Sequence, residues 1–102
     1  MEIEKIFARG VRFSCRGMRI HVLSSPLAQN RVVFVPVRSY PDAVTRNRAR
    51  RLVRECWRLE KSRFSPGHDV AIVLYPGFDI LGERKAQLER LLRQAGIIAL
   101  CQ

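Results

Sequence analysis

Acidic residues are scarce in this chain. Nine Asp and Glu stand against nineteen Lys and Arg in 102 residues, a formal net charge of +10. Such a charge repels itself in a compact monomer, so a polyanionic partner is expected, nucleic acid first. Cysteine is equally sparse. Cys15, Cys56 and Cys101 are odd in number and form no Cys-x-x-Cys pair. Neither a disulfide framework nor a zinc site is expected, only reduced thiols in a cytosolic protein. Long apolar runs are missing as well: Val32 to Val37 is strand-sized and far short of a membrane span. Nothing after Met1 to Lys5 resembles a cleavable signal. Repeats, low-complexity tracts and linkers are absent, which leaves a single domain over residues 1–102. Asp42, Asp69 and Asp79 are scattered, and no nucleophile–base spacing emerges. No catalytic residue and no metal ligand of the protein's own is therefore expected.

What is present has clear periodicity. Ile3, Ile6 and Phe7 fall at i, i+3 and i+4, a short helix over 2–8 that stops at Gly10. Val11 to Phe13 reads as a short strand. Met18, Ile20 and Val22 alternate with Arg19, His21 and Leu23 in the next strand. Arg31 to Val37 is β-branched and aromatic, and Pro36 within it marks an edge or a bulge. Asp42 is placed to cap a long helix running to about Ser62. A strand over 69–75 follows, then an amphipathic helix through Leu81, Leu88, Leu91 and Leu92, ending before Gly96. The order helix, strands, helix, strand, helix predicts an α+β domain.

The long helix carries the strongest signal. At about 100° per residue, Asn47, Arg50, Arg51, Arg54, Arg58 and Lys61 share an arc of roughly 100°. Arg46 and Arg48 flank it, while Ala49, Leu52, Val53, Cys56 and Leu59 point the other way. A merely solvated face fits poorly, because like charges at i,i+3 and i,i+4 repel and Glu55 and Glu60 cannot neutralise them. Arginine in place of lysine favours phosphate, since the planar guanidinium presents a donor fork. The stripe predicts phosphate-backbone binding and leaves RNA and DNA both open.

The string Ala43-Val44-x-Arg46-Asn47-Arg48-x-Arg50-Arg51-x-x-Arg54-Glu55 resembles the signature of the bacterial ribonuclease P protein family. An Ile-Phe-x-x-Gly turn over 6–10 precedes it, and an Asp-Val-Ala-Ile-Val strand over 69–73 and a Leu-rich helix follow in the family's order. The resemblance implies a two-layer α+β sandwich with a left-handed crossover around the arginine helix. It implies an accessory subunit of a ribonucleoprotein endoribonuclease that removes the 5′ leader of precursor tRNA in the cytoplasm. The RNA and its bound magnesium perform the hydrolysis there, and the protein holds no cofactor alone. By the same resemblance Arg46, Asn47, Arg48, Arg50, Arg51, Arg54 and Arg58 contact the catalytic RNA. Phe7, His21 and Arg38 border the leader cleft, where unpaired bases stack on aromatics. The partners implied are the catalytic RNA and precursor tRNA, with no membrane and no obligate protein partner.

Some features depart from the family. Ile3 lies where some members carry a second aromatic, and Ser39 and Pro41 replace a frequent basic residue and a common glycine. The chain begins almost inside its first helix. Either the leader is gripped less firmly, or further residues precede Met1. The alternatives weighed are a ribosomal or other structural RNA-binding protein and a DNA-binding module. Strands rather than a partner helix precede the arginine stripe, so a helix-turn-helix pair is not expected.

Overall fold

A computed structural model describes residues 2–98; Cys101 lies outside them. Three α-helices and four strands follow in the expected order: α1 (Ile3–Arg9), β1 (Val11–Cys15), β2 (Met18–Ser24), β3 (Arg31–Pro36), α2 (Ala43–Glu60), β4 (His68–Leu74) and α3 (Leu81–Gln94). A short 3-10 turn, Lys61–Arg63, ends the long helix. The elements form where local chemistry dictates. Asp42 accepts the Thr45 amide at 2.8 Å and starts α2, as its position predicts. Gly96, at φ +77°, ends α3: its amide bonds the Arg93 carbonyl at 3.1 Å and the Ile97 amide bonds Leu92 at 2.9 Å. That is the Schellman pattern of bonds. Gly10 closes α1 for a different reason. Its φ is ordinary, but a Cβ there would collide with the Ile6 carbonyl and lie 3.2 Å from the Val22 carbonyl.

The sheet runs β1-β2-β4-β3. β2 is antiparallel to both its neighbours, whereas β3 and β4 are parallel and joined through α2. β3 is an edge strand, which accommodates Pro36 and its missing donor. Met18, Ile20 and Val22 pair with Leu74, Ile72 and Val70 on one face, and this face meets α2 and α3. Ala49, Val53, Cys56 and Trp57 from α2 and Leu88, Leu91 and Leu92 from α3 complete the core. The short α1 lies on the opposite face, where Ile6 is only 1% exposed. The α+β sandwich is as predicted, with α1 as a partial cover on its far side.

One face is rotated from its predicted setting. Leu59 is 50% exposed, while Trp57 and Glu60 are buried in its place. The buried arc of α2 sits roughly 45° from the arc of the apolar residues. Trp57 drives this turn by stacking edge-on against Phe64, with centroids 4.6 Å apart. Glu60 is tolerated inside because Arg63 and Lys85 pair with it.

Candidate nucleic-acid interface

The arginine stripe survives this rotation intact. Asn47, Arg48, Arg51, Arg54 and Arg58 are exposed, and Arg46 and Arg50 are half-buried beside them. Several are held rather than free to swing. Arg50 donates to Asn47 Oδ1 at 2.8 Å, so the mid-helix asparagine bonds a side chain and not the backbone. The Arg54 guanidinium sits 5.7 Å from the centre of the Phe34 ring on β3, near the outer limit of a cation–π contact. Arg46, Arg48, Arg50, Arg51 and Arg54 meet no carboxylate among the described residues. Arg58 differs, because both its Nε and Nη2 are taken by Glu55 at 3.0 and 2.6 Å. That bond holds the Glu55 carboxyl below the usual carboxylate range. Arg58 apart, the arginine charge along α2 is available to an anion.

A second candidate surface lies on the far side of the sheet. Register places Arg12, His21, Ala71 and Val33 in one row across the four strands, and Ser14, Arg19, Val73 and Val35 in the next. Phe7 of α1 reaches this face and meets His21 edge-on at 4.6 Å. Phe7 remains 36% exposed; His21 beneath it is 7% exposed. The sequence places His21 on a polar face, but α1 covers it there. Its Nε2 is buried with no partner among the described residues. Burial pushes its pKa down, and Arg19 and Arg12 add to that, so the imidazole is neutral near pH 7. Arg38 sits apart from this pair, exposed in the turn closed by the Tyr40 amide on the Val37 carbonyl at 3.3 Å.

Sequence reasoning missed three residues on this face. Arg12, Arg19 and Tyr75 line a cavity of about 380 Å³ with Ser14 and Gly17, and Arg19 lies 6.0 Å from the Tyr75 ring centre. The alternation of β2 puts Arg19 beside His21, which was the available signal. Also missed was a buried cluster. Arg84 is 0% exposed and bonds Asp79, Tyr40 and Gln87 side chains and the Gly17 and Tyr75 carbonyls. Among the described residues no group of three or more His, Cys, Asp or Glu could hold a metal. No helix there is long and apolar enough to cross a membrane.

Comparison with known proteins gives the family and the fold. Residues 1–96 match the family described as Ribonuclease P. The chain is 29% identical over 99 residues to the "Ribonuclease P protein component" of Natranaerobius thermophilus, covering 95% of this chain and 86% of that one. The protein of the same name from Bacillus velezensis is 29% identical over 98 residues, covering 94% and 84%. Among solved structures, the RNase P protein of Staphylococcus aureus superposes with a TM-score of 0.83 at 18% identity, over 93% of this chain and 89% of that one. The Thermotoga maritima RNase P protein gives 0.83 at 20% identity, over 91% and 90%. At such identities the superpositions speak for the fold alone. The ribosomal and DNA-binding alternatives find no support in these matches. An arginine-faced helix on this sheet topology, with a sequence match across residues 1–96, establishes that the chain belongs to the Ribonuclease P protein family.

Proposed function

We propose that this chain is the protein subunit of ribonuclease P, binding the catalytic RNA along α2 and the 5′ leader of precursor tRNA across the face under α1. The observation that carries the reading is Arg50, Arg51 and Arg54 on one face of α2, flanked by Arg46 and Arg48, all without carboxylate partners among the described residues. A phosphate backbone supplies what the fold withholds from those donors. Phe7 offers a ring face on which an unpaired base stacks, and Arg12 and Arg19 offer cations to the same strand. His21 supports Phe7 from below and does not itself face solvent.

Hydrolysis, with its magnesium, is assigned to the RNA. Among the described residues, Asp69, Asp79, Glu55 and Glu60 are each paired with an arginine. The protein's part is to screen phosphate repulsion and to fix where the leader lies, acting in the cytoplasm. Reconstitution tests this. Added to its organism's catalytic RNA at low magnesium, the chain should raise precursor-tRNA cleavage. Neutralising about six phosphates gives a log–log salt slope of roughly −4 to −5 for binding. No stimulation together with a flat salt response would sink the proposal.

A further inference from the structure

We propose that the buried Arg84–Asp79–Tyr40 cluster is a positioning device for the RNA-binding face, fixing the turn and helix start that present Arg38, Arg46 and Arg48. The inference rests on the reading of α2 as the helix that binds RNA. Arg84 projects from α3 into the core with no exposed surface. Its Nε donates to Asp79 Oδ1 at 3.0 Å, and Nη1 donates to the Gly17 carbonyl at 2.7 Å and Gln87 Oε1 at 3.0 Å. Nη2 donates to the Tyr75 carbonyl at 2.6 Å, Asp79 Oδ1 at 2.7 Å and the Tyr40 hydroxyl at 3.0 Å. Tyr40 in turn donates to Asp79 Oδ2 at 2.9 Å. Every nitrogen of the guanidinium is thus engaged, and the acceptors come from the β1–β2 turn, the end of β4, α3 and its lead-in, and the lead-in to α2.

The placement of Tyr40 makes this more than a core anchor. Its amide closes the Val37–Tyr40 turn, so Arg38 and Ser39 occupy the bend. Two residues later comes Asp42, whose side chain caps α2 and whose carbonyl accepts the Arg46 amide at 3.2 Å. Holding the Tyr40 ring and hydroxyl therefore fixes the strand exit and the helix entry together. Arg38, Arg46 and Arg48 all extend from within eight residues of that fixed point. Three cations can serve one run of phosphates only if their spacing is preset, because flexible long side chains lose rotamer freedom when they are ordered.

The test uses Tyr40→Phe in the full chain, which keeps the ring and the net charge and removes only the hydroxyl. Binding to the catalytic RNA is titrated across salt concentrations. A positioning role predicts a log–log slope flatter by roughly 1 to 2, as one or two phosphate contacts are lost at constant charge. It also predicts that Arg46→Ala costs a smaller fold-loss in the Tyr40→Phe background than in the parent. Trp57→Phe, at the far end of α2, serves as the control, with the parent slope expected even where its melting temperature falls. A folded Tyr40→Phe protein with parent slope, parent affinity and an undiminished Arg46→Ala effect would overturn the proposal. If too little Tyr40→Phe folds, Asp79→Asn makes the same comparison with net charge one unit higher. A flatter slope despite that added charge supports positioning, and a slope equal to or steeper than the parent's overturns it. Should the parent itself bind without salt dependence, the reading of α2 fails instead, which keeps the two failures apart.

Discussion

Arg84 and Arg51 are the same side chain in opposite settings. Arg84 is sealed inside, with Nε and both Nη atoms bonded to protein acceptors. Arg51 stands on the outer face of α2, with no acceptor among the described residues. A buried guanidinium is tolerable only when its donors are filled, since desolvation costs several kcal/mol per ion. An exposed one keeps its charge at little cost and its donors for a partner. Arginine therefore does two kinds of work here: one holds the frame, and a row of others meets the ligand.

Emptying the frame should produce the largest effect. Arg84→Ala leaves Asp79 and Tyr40 bonded only to each other, takes the side-chain donor from the half-buried Tyr75 carbonyl, and leaves the Gly17 carbonyl with the Tyr75 amide alone. Breaking a buried pair in this way costs about 3–5 kcal/mol. Urea unfolding should show that loss, and the protein that still folds should bind RNA with a flatter salt slope, as Tyr40→Phe does. The triple variant Arg50→Ala, Arg51→Ala, Arg54→Ala should do the reverse. Its unfolding midpoint should move little or rise, since like-charge repulsion along the helix is relieved. Its stimulation of precursor-tRNA cleavage at low magnesium should vanish, with a salt slope flatter by roughly 2 to 3. A triple variant that bound normally would break the division between frame and ligand arginines.

That division was only half legible in the sequence. The ligand row is local: a period of about 3.6 residues places its members without any tertiary knowledge. The frame is not local. Tyr40 and Arg84 lie 44 residues apart, and nothing in either segment's pattern announces the other. Asp79 read as one more scattered acid for the same reason. His21 was read on the correct face of β2, but its burial depends on α1 folding over that face. The setting of α2 missed by a fraction of a turn because Trp57 outweighs Leu59 in the packing with Phe64, a contact made after the helix ends.

Arg58 sharpens the comparison, being exposed like Arg51 yet occupied like Arg84. Its fork is filled by Glu55 in a surface pair that contributes little to stability. Arg58→Ala should therefore weaken RNA binding less than Arg51→Ala does. Glu55→Gln should free the fork, raise affinity and steepen the salt slope by about 1. Equal losses from the two arginine variants would show that RNA displaces Glu55 at no cost. Across the sheet, Phe7→Ala should cost about 1–3 kcal/mol in affinity for single-stranded leader, the worth of one stacked base. Affinity for the catalytic RNA alone should not change, and competition with leaderless tRNA separates the two.

The smallest effect tests the rule from its other side, at a buried group that could be a cation and has no acceptor. His21 is almost as enclosed as Arg84, but its Nε2 meets no partner among the described residues, and Arg19 and Arg12 lie nearby. Burial, then those two charges, lower its pKa in the folded chain below the ordinary 6.5. Between that depressed value and 6.5 the unfolded chain holds a proton that the folded chain lacks. Stability is therefore full above 6.5 and declines as pH falls towards the folded pKa, beyond which it falls no further on this account. His21→Phe keeps a ring against Phe7 and removes the proton site. Thermal unfolding of the parent should lose midpoint between pH 6.5 and 5, and the His21→Phe variant should lose less over the same interval. The Asp69 carboxyl, held below its usual range chiefly by its hydrogen bonds from Arg31, gives up its contribution only at more acid pH, so the two steps are separable. Matching profiles for parent and variant would mean that His21 finds an acceptor and keeps its charge, placing it with Arg84.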